Sequence, residues 1–329
     1  MRIMIVASLA LALVACNGAT AQLKDGMNKA GQEAATSAEA SAKASADKSK
    51  ADLEAGASAK VMEQALTVAA ENPARSEQNI ARNKYRHPVE TLNFFGIKPD
   101  MTVVEIWPGG GWYTEVLAPV LVDGHLIAAS FAPKTDQPDH YTNRIYNNFE
   151  ERLKNDPLFS KNVHSGMLQP GVKVDIGAEG SADMVLTFRS LHGFITQGIM
   201  DEIFAESYKV LKPGGIFGVV EHRAKEAEGM DVMEIAKTGY VPTSYVIERA
   251  EAAGFELVEA SEINANPKDT ADHPEGVWTL PPSLKLGDTD REKYLEIGES
   301  DRMTLKFRKV VEEEAVEADE AAESDEAAN

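Results

Sequence analysis

Cysteine is nearly absent: Cys16 is the only one in 329 residues, so the chain can close no internal disulfide and build no cysteine metal cluster. Basic residues are scarce beside acidic ones, 33 Lys and Arg against 53 Asp and Glu, for a formal net charge of -20. That balance excludes a sequence-independent grip on nucleic acid, which needs Lys and Arg to neutralise phosphates and release counterions. The apolar run Ile3 to Ala15 is too short to cross a bilayer. No repeat of solenoid length is visible. His140, His164 and His273 stand alone, without ligand spacing, and make no case for a metal. What is left, 43% hydrophobic and 7% aromatic residues, is the composition of an ordinary globular protein.

The two ends read differently from the middle. Arg2 and the run that follows have the layout of a secretory signal over residues 1–21. Leu13-Val14-Ala15-Cys16 resembles the bacterial lipobox, which implies lipidation of Cys16 and a membrane-anchored protein of the periplasm or cell envelope. A cut after Ala19-Thr20-Ala21 would instead release a soluble periplasmic protein, and a buried N-terminal strand or helix is the third reading. Residues 22–60, rich in Ala, Ser, Lys and Glu, lack the large apolar side chains of a core and read as a linker. Residues 312–329, Glu312 to Asn329, form an acidic, Ala-spaced tail expected to be solvated.

Apolar patterning from Val61 to Val311 fits one α/β domain. Met101 to Trp107, His125 to Phe131, Asp183 to Arg189 and Ile216 to His222 are short β-rich runs of the kind buried in parallel sheets. Trp112 to Leu121, Gly198 to Val210 and Val246 to Phe255 read as helices, the last ended by Gly254. FELVEASEI and Met303 to Val310 read as strands. The Pro- and Gly-rich stretch between them reads as an irregular loop able to wall a site.

The chemistry concentrates in VVEIWPGGGWYTEVL. A strand carrying Glu105 runs into Gly109-Gly110-Gly111 and then a helix, the place where open parallel sheets bind ligands. Glycines permit positive φ and close backbone approach. A dinucleotide site fits less well, because Thr114 stands where a third glycine is expected. The segment resembles motif I of class I S-adenosylmethionine-dependent methyltransferases, an acidic residue followed at the fourth and sixth positions by glycine. LKPGGIFGVVEH and ADMVLTFRSLH resemble that family's helix-to-fifth-strand turn and fourth strand. The body from Tyr85 to Val311, with RHPVETLNFFGIKPDM and VWTLPPSL, is similar to bacterial proteins described as predicted methyltransferases.

The resemblance implies a Rossmann-like α/β fold, a mostly parallel seven-stranded sheet with helices on both faces. It implies S-adenosylmethionine as cofactor, with Glu105, Gly109, Gly110 and Gly111 at its amino-acid part and Ser130, at the end of the second strand, at the ribose. Two departures accompany it: Trp107 replaces a glycine, and Ser130 replaces an acid, leaving Asp136 or Asp139 as other partners for the ribose.

His192 and His222, after the fourth and fifth expected strands, are the candidate catalytic bases. Arg189 and Arg223 are candidates for an anionic group on the substrate, and Trp278 for a substrate ring. Tyr85, Arg86 and His87 can cap the pocket. The expected function is methyl transfer to a small molecule. A non-catalytic or repurposed small-molecule binder of the envelope is the alternative, because the donor is made in the cytoplasm and the signal exports the chain. An oxidoreductase or a purely structural envelope role completes the set.

Overall fold

The computed structural model describes residues 56, 58–159 and 162–310. The chain divides between Lys60 and Val61 into two units. Of the first, residues 56 and 58–60 are described and helical; the signal segment, Cys16, most of the linker and the acidic tail lie outside the described residues. The second unit is the body.

Its sheet has strands β1 (Thr102–Ile106), β2 (His125–Ser130), β3 (Val163–Gln169), β4 (Lys173–Asp175), β5 (Ala182–Phe188), β6 (Leu211–His222), β7 (Phe255–Ser261) and β8 (Arg302–Lys309). They lie in the order β4-β3-β2-β1-β5-β6-β8-β7. From β3 through β6 neighbours run parallel, while β8 is antiparallel to both β6 and β7. The count is eight, not the seven expected. The extra strand, β4, is a three-residue antiparallel edge folded back on β3 across Gly171, whose φ of 76° suits a tight turn.

Side chains alternate between two cores, as the pleat requires. Val104, Ile106, Val185, Phe217 and Val219 face one of them. It also takes Phe194 of α7 (Leu191–Gln197), Phe204 of α8 (Met200–Val210) and Val246 of α10 (Thr243–Ala252). Val103, Met184, Leu186 and Val220 face the other. There they meet Leu66 of the helix over 61–70 (α1), Leu92 of α4 (Pro88–Phe95), Val116 of α5 (Thr114–Val120) and Phe149 of α6 (Tyr141–Asn155). The sheet is therefore covered on both faces.

Several boundaries differ from the sequence reading. The helix expected over Gly198 to Val210 is α8, which begins at Met200, and a helix not expected, α7, precedes it and is capped by Gly198 with φ of 70°. The helix expected from Trp112 begins at Thr114. LKPGG belongs to β6, where the pairing with β5 slips between Ala182 and Met184. The stretch between the last two strands, expected to be irregular, holds a 3-10 turn, Gly276–Thr279, and a helix, α11 (Arg291–Ile297). The remaining short helices, α2 (Glu77–Ile80), α3 (Asn83–Arg86) and α9 (Val232–Ala236), complete the body.

Candidate active site

From β1 the chain moves outward to β2 and β3, then returns to β5 on the other side of β1. The order reverses there: β1 and β5 stay paired to Ile106 and Thr187, and the chain leaving their carboxyl ends runs to opposite sides, which opens a crevice above them. A cavity of about 870 Å³ occupies it, near the upper end of the range for small-molecule sites. Gly109 and Gly110 line one side, Arg189, His192 and His222 another, and Trp278 with Pro281 and Pro282 comes from the late loop.

The glycine turn is left-handed at Gly109 (φ 60°) and Gly111 (φ 83°). Gly110 and Gly109 open onto free space, whereas a Cβ on Gly111 would sit 2.8 Å from Phe149 and 3.0 Å from Phe159. Gly111 therefore serves packing and is not in the cavity wall. Arg152 fastens the turn from outside, donating to the Gly110 carbonyl at 2.6 Å and to Glu115 at 2.8 Å. Trp107 also holds a positive φ, 50°, where the resemblance led to glycine. Its indole N–H donates to the Leu168 carbonyl at 2.9 Å, and its ring packs edge-on against Phe194 and Phe131. Trp107 thus forms part of the wall.

Glu105 lies beneath the turn, fully buried, and accepts a hydrogen bond from the Thr114 hydroxyl at 2.6 Å. It is absent from the cavity lining. Burial pushes its carboxyl up to about 7, with Thr114 and Arg189 partly opposing. Ser130 is buried and also outside the lining; Phe131, Ala132 and Lys134 stand at that end of β2 instead. Asp136 and Asp139 are exposed and do not reach the cavity wall.

His192 is held by a residue the sequence reading passed over. Glu221, buried at the end of β6, accepts from the Leu191 and His222 backbone N–H groups at 2.5 and 2.8 Å, and His192 Nδ1 stands 3.3 Å from it. A carboxylate only accepts, so Nδ1 carries the proton and Nε2 keeps its lone pair. This is how a carboxylate prepares an imidazole to take a proton. His222 differs. Its Nδ1 is 2.5 Å from the Ser300 hydroxyl, and burial first, then His192, Arg189 and Arg302, hold it well below the usual imidazole range. It stays neutral. The two rings lie 5.8 Å apart, and His192 is 6.1 Å from Trp278.

The expected anion-binding arginines part company. Arg189 lines the cavity, but Arg223 does not. Arg223 is spent on Asp301 and Glu262, at 2.8 Å each, which raise its proton affinity further. Of the expected cap, Arg86 is in the wall and fully buried, while Tyr85 packs against Gly298 and His87 takes the left-handed position between α3 and α4. Arg86, Arg82 and Arg302 converge on Glu299 at 3.0, 2.6 and 3.2 Å. Nothing in the sequence pattern announced this cluster.

No protein-family model matches the chain, and no curated protein matches it. Among solved structures it is similar to a SAM dependent methyltransferase from Aquifex aeolicus, at 16% identity over 70% of this chain and 93% of that one, with a TM-score of 0.46. It is also similar to geranyl diphosphate C-methyltransferase from Streptomyces coelicolor A3(2), at 14% identity over 74% and 88% of the two chains, with a TM-score of 0.46. The chemistry has to be read from the geometry of the site itself.

Proposed function

We propose that this chain is an S-adenosylmethionine-dependent methyltransferase acting on a small molecule. One observation carries the reading: a single cavity at the switch point joins the open glycine turn, Gly109 and Gly110, to the His192–Glu221 pair. The turn fits the donor's amino-acid part, since nothing within 4 Å of either glycine's Cβ position obstructs it. The ribose finds no carboxylate at the end of β2, so its hydroxyls must be held by neutral groups or backbone. When bound, S-adenosylmethionine supplies an electrophilic methyl group on a sulfonium.

The protein's own part is alignment and proton removal. His192 Nε2 accepts the proton an acceptor hydroxyl, amine or thiol loses as its new bond to the methyl carbon forms, and Glu221 steadies the imidazolium that results. Trp107, Phe188 and Trp278 give the cavity aromatic walls. The lipobox at Cys16 supports placement in the cell envelope, with a lipid anchor holding the body at a membrane.

A second reading, a small-molecule binder without chemistry, is favoured by the missing ribose carboxylate. The full chain with methyl-labelled S-adenosylmethionine and a panel of hydroxyl, amine and thiol acceptors distinguishes the two. Label transfer is expected, reduced about a hundredfold by His192→Gln. Donor binding with no transfer to any acceptor would favour the binder.

A further inference from the structure

The chain carries a net charge of -20, yet its cavity is lined by Arg82, Arg86, Lys134, Arg189 and Lys237 with Glu299 as the sole acidic residue in the wall. The acidic surplus lies elsewhere. A low-dielectric crevice lined by one sign of charge concentrates ligands of the other. Five cations facing one carboxylate is therefore a ligand preference, opposite in sign to the molecule as a whole.

The pairing within the cluster is incomplete. Glu299 is shared among Arg82, Arg86 and Arg302, and both terminal amines of Arg86 are buried without a hydrogen-bond partner. Arg86 is fully buried with its guanidinium 4.7 Å from the centre of the Trp112 ring, so it adds positive field to the wall and offers no free contact. Arg189 is the more telling group. Its side chain has no hydrogen-bond partner among the described residues, and its buried Nε is one of the unmatched donors. It sits at the end of β5 with φ of 60°, a strained conformation for arginine, pinned by its own N–H donating to the Val220 carbonyl at 2.7 Å. Desolvation, with Arg302 and Arg82 nearby and only Glu299 strongly opposing, pulls its proton affinity down to about 10. The fold pays strain to hold an uncompensated guanidinium three residues from the candidate base.

We propose that the acceptor carries an anionic oxygen group, a carboxylate or a phosphate, bound directly by Arg189, with Arg86 and Arg82 supplying the positive field around it. A planar guanidinium with free N–H groups suits either oxyanion. Anchoring the anion at Arg189 brings the rest of the acceptor against His192 and Trp278, which share the same wall. The inference rests on reading this cavity as the acceptor site. It does not require that methyl transfer be the reaction.

The test is calorimetric titration of inorganic phosphate and, separately, benzoate into the full chain at low ionic strength, each with and without saturating S-adenosylhomocysteine. Arg189→Gly removes the charge and relieves the positive φ, so it should remain folded by circular dichroism; Arg189→Lys keeps the charge but not the fork. Arg249→Gln, which breaks an exposed pair with Asp201 outside the cavity, is the control. Saturable binding is expected for the parent chain, at least tenfold weaker in Arg189→Gly, intermediate in Arg189→Lys and unchanged in Arg249→Gln. The tighter of the two probes identifies phosphate or carboxylate as the group.

S-adenosylhomocysteine should leave the anion's affinity within about twofold, as expected for separate, weakly coupled sites. Mutual exclusion would place the guanidiniums on the donor's own carboxylate and overturn the proposal, as would unsaturable binding of both probes or parent-like binding by Arg189→Gly. Anion binding in a chain that takes no S-adenosylhomocysteine would leave this inference standing and the methyltransferase reading refuted.

Discussion

Exchanging Glu299 for glutamine is expected to cost the folded protein about 3–5 kcal/mol, the usual penalty for removing one partner of a buried ionic group. Glu299 is 4% exposed, Arg86 0% and Arg302 2%, so neither arginine can recover its lost partner from bulk water. Glutamine keeps the shape and one accepting oxygen but no charge. Urea unfolding, with the slope unchanged and the midpoint shifted, would report the loss. Adding Arg86→Met to Glu299→Gln removes one of the stranded cations and should restore part of it. A loss below about 1 kcal/mol would mean the cluster is solvated and the buried-charge account of the cavity wrong.

A comparable effect, with the opposite sign at neutral pH, is expected from Glu105→Gln. The carboxyl rises from an ordinary 4.5 to about 7 in the fold, so the folded state prefers it protonated. Its contribution is complete below pH 4.5 and is lost as pH climbs through 7, where the buried group ionises at a cost of about 3 kcal/mol for a shift of this size. Glutamine resembles the protonated form and still accepts from Thr114. The variant should match the parent near pH 4.5, exceed it by about 3 kcal/mol at pH 8 and lack the intervening slope. Chemical denaturation across that range checks it; an unchanged slope in the variant would assign the pH dependence to another group.

Local patterns in the sequence disclosed local structure. β1, β2, β5, β6, β7 and β8 were visible as short β-rich runs, and the glycines at 109–111 marked the turn, because the backbone there is left-handed at Gly109 and Gly111. β3 escaped because VHSGMLQ mixes exposed polar positions with few buried ones, and β4 because all three of its residues are exposed. α7 escaped because its seven residues are too few for a helical period to show, and Gly198, which caps it, looks like the start of the next apolar pattern.

The site was legible where function follows strand ends. Gly109, Gly110, Arg189, His192, His222 and Trp278 meet in the cavity wall, while Glu105, Gly111, Ser130 and Arg223 do not. Arg223 looked free because Asp301 lies 78 residues away and Glu262 39. The Arg82 and Arg86 pairs with Glu299 span 217 and 213 residues, a distance at which spacing carries no signal. Glu221 was overlooked beside His222, although its burial is what orients His192.

Titration of S-adenosylhomocysteine into the full chain and into Gly110→Val decides whether the glycine turn holds the methyl donor. A valine at Gly110 points into open cavity and should leave Tm unchanged, unlike any side chain at Gly111, which would strike Phe149. Saturable binding is expected for the parent chain, with at least a tenfold loss in Gly110→Val, about 1.4 kcal/mol or more. No binding by the parent at millimolar concentration, or equal binding by both, would contradict it.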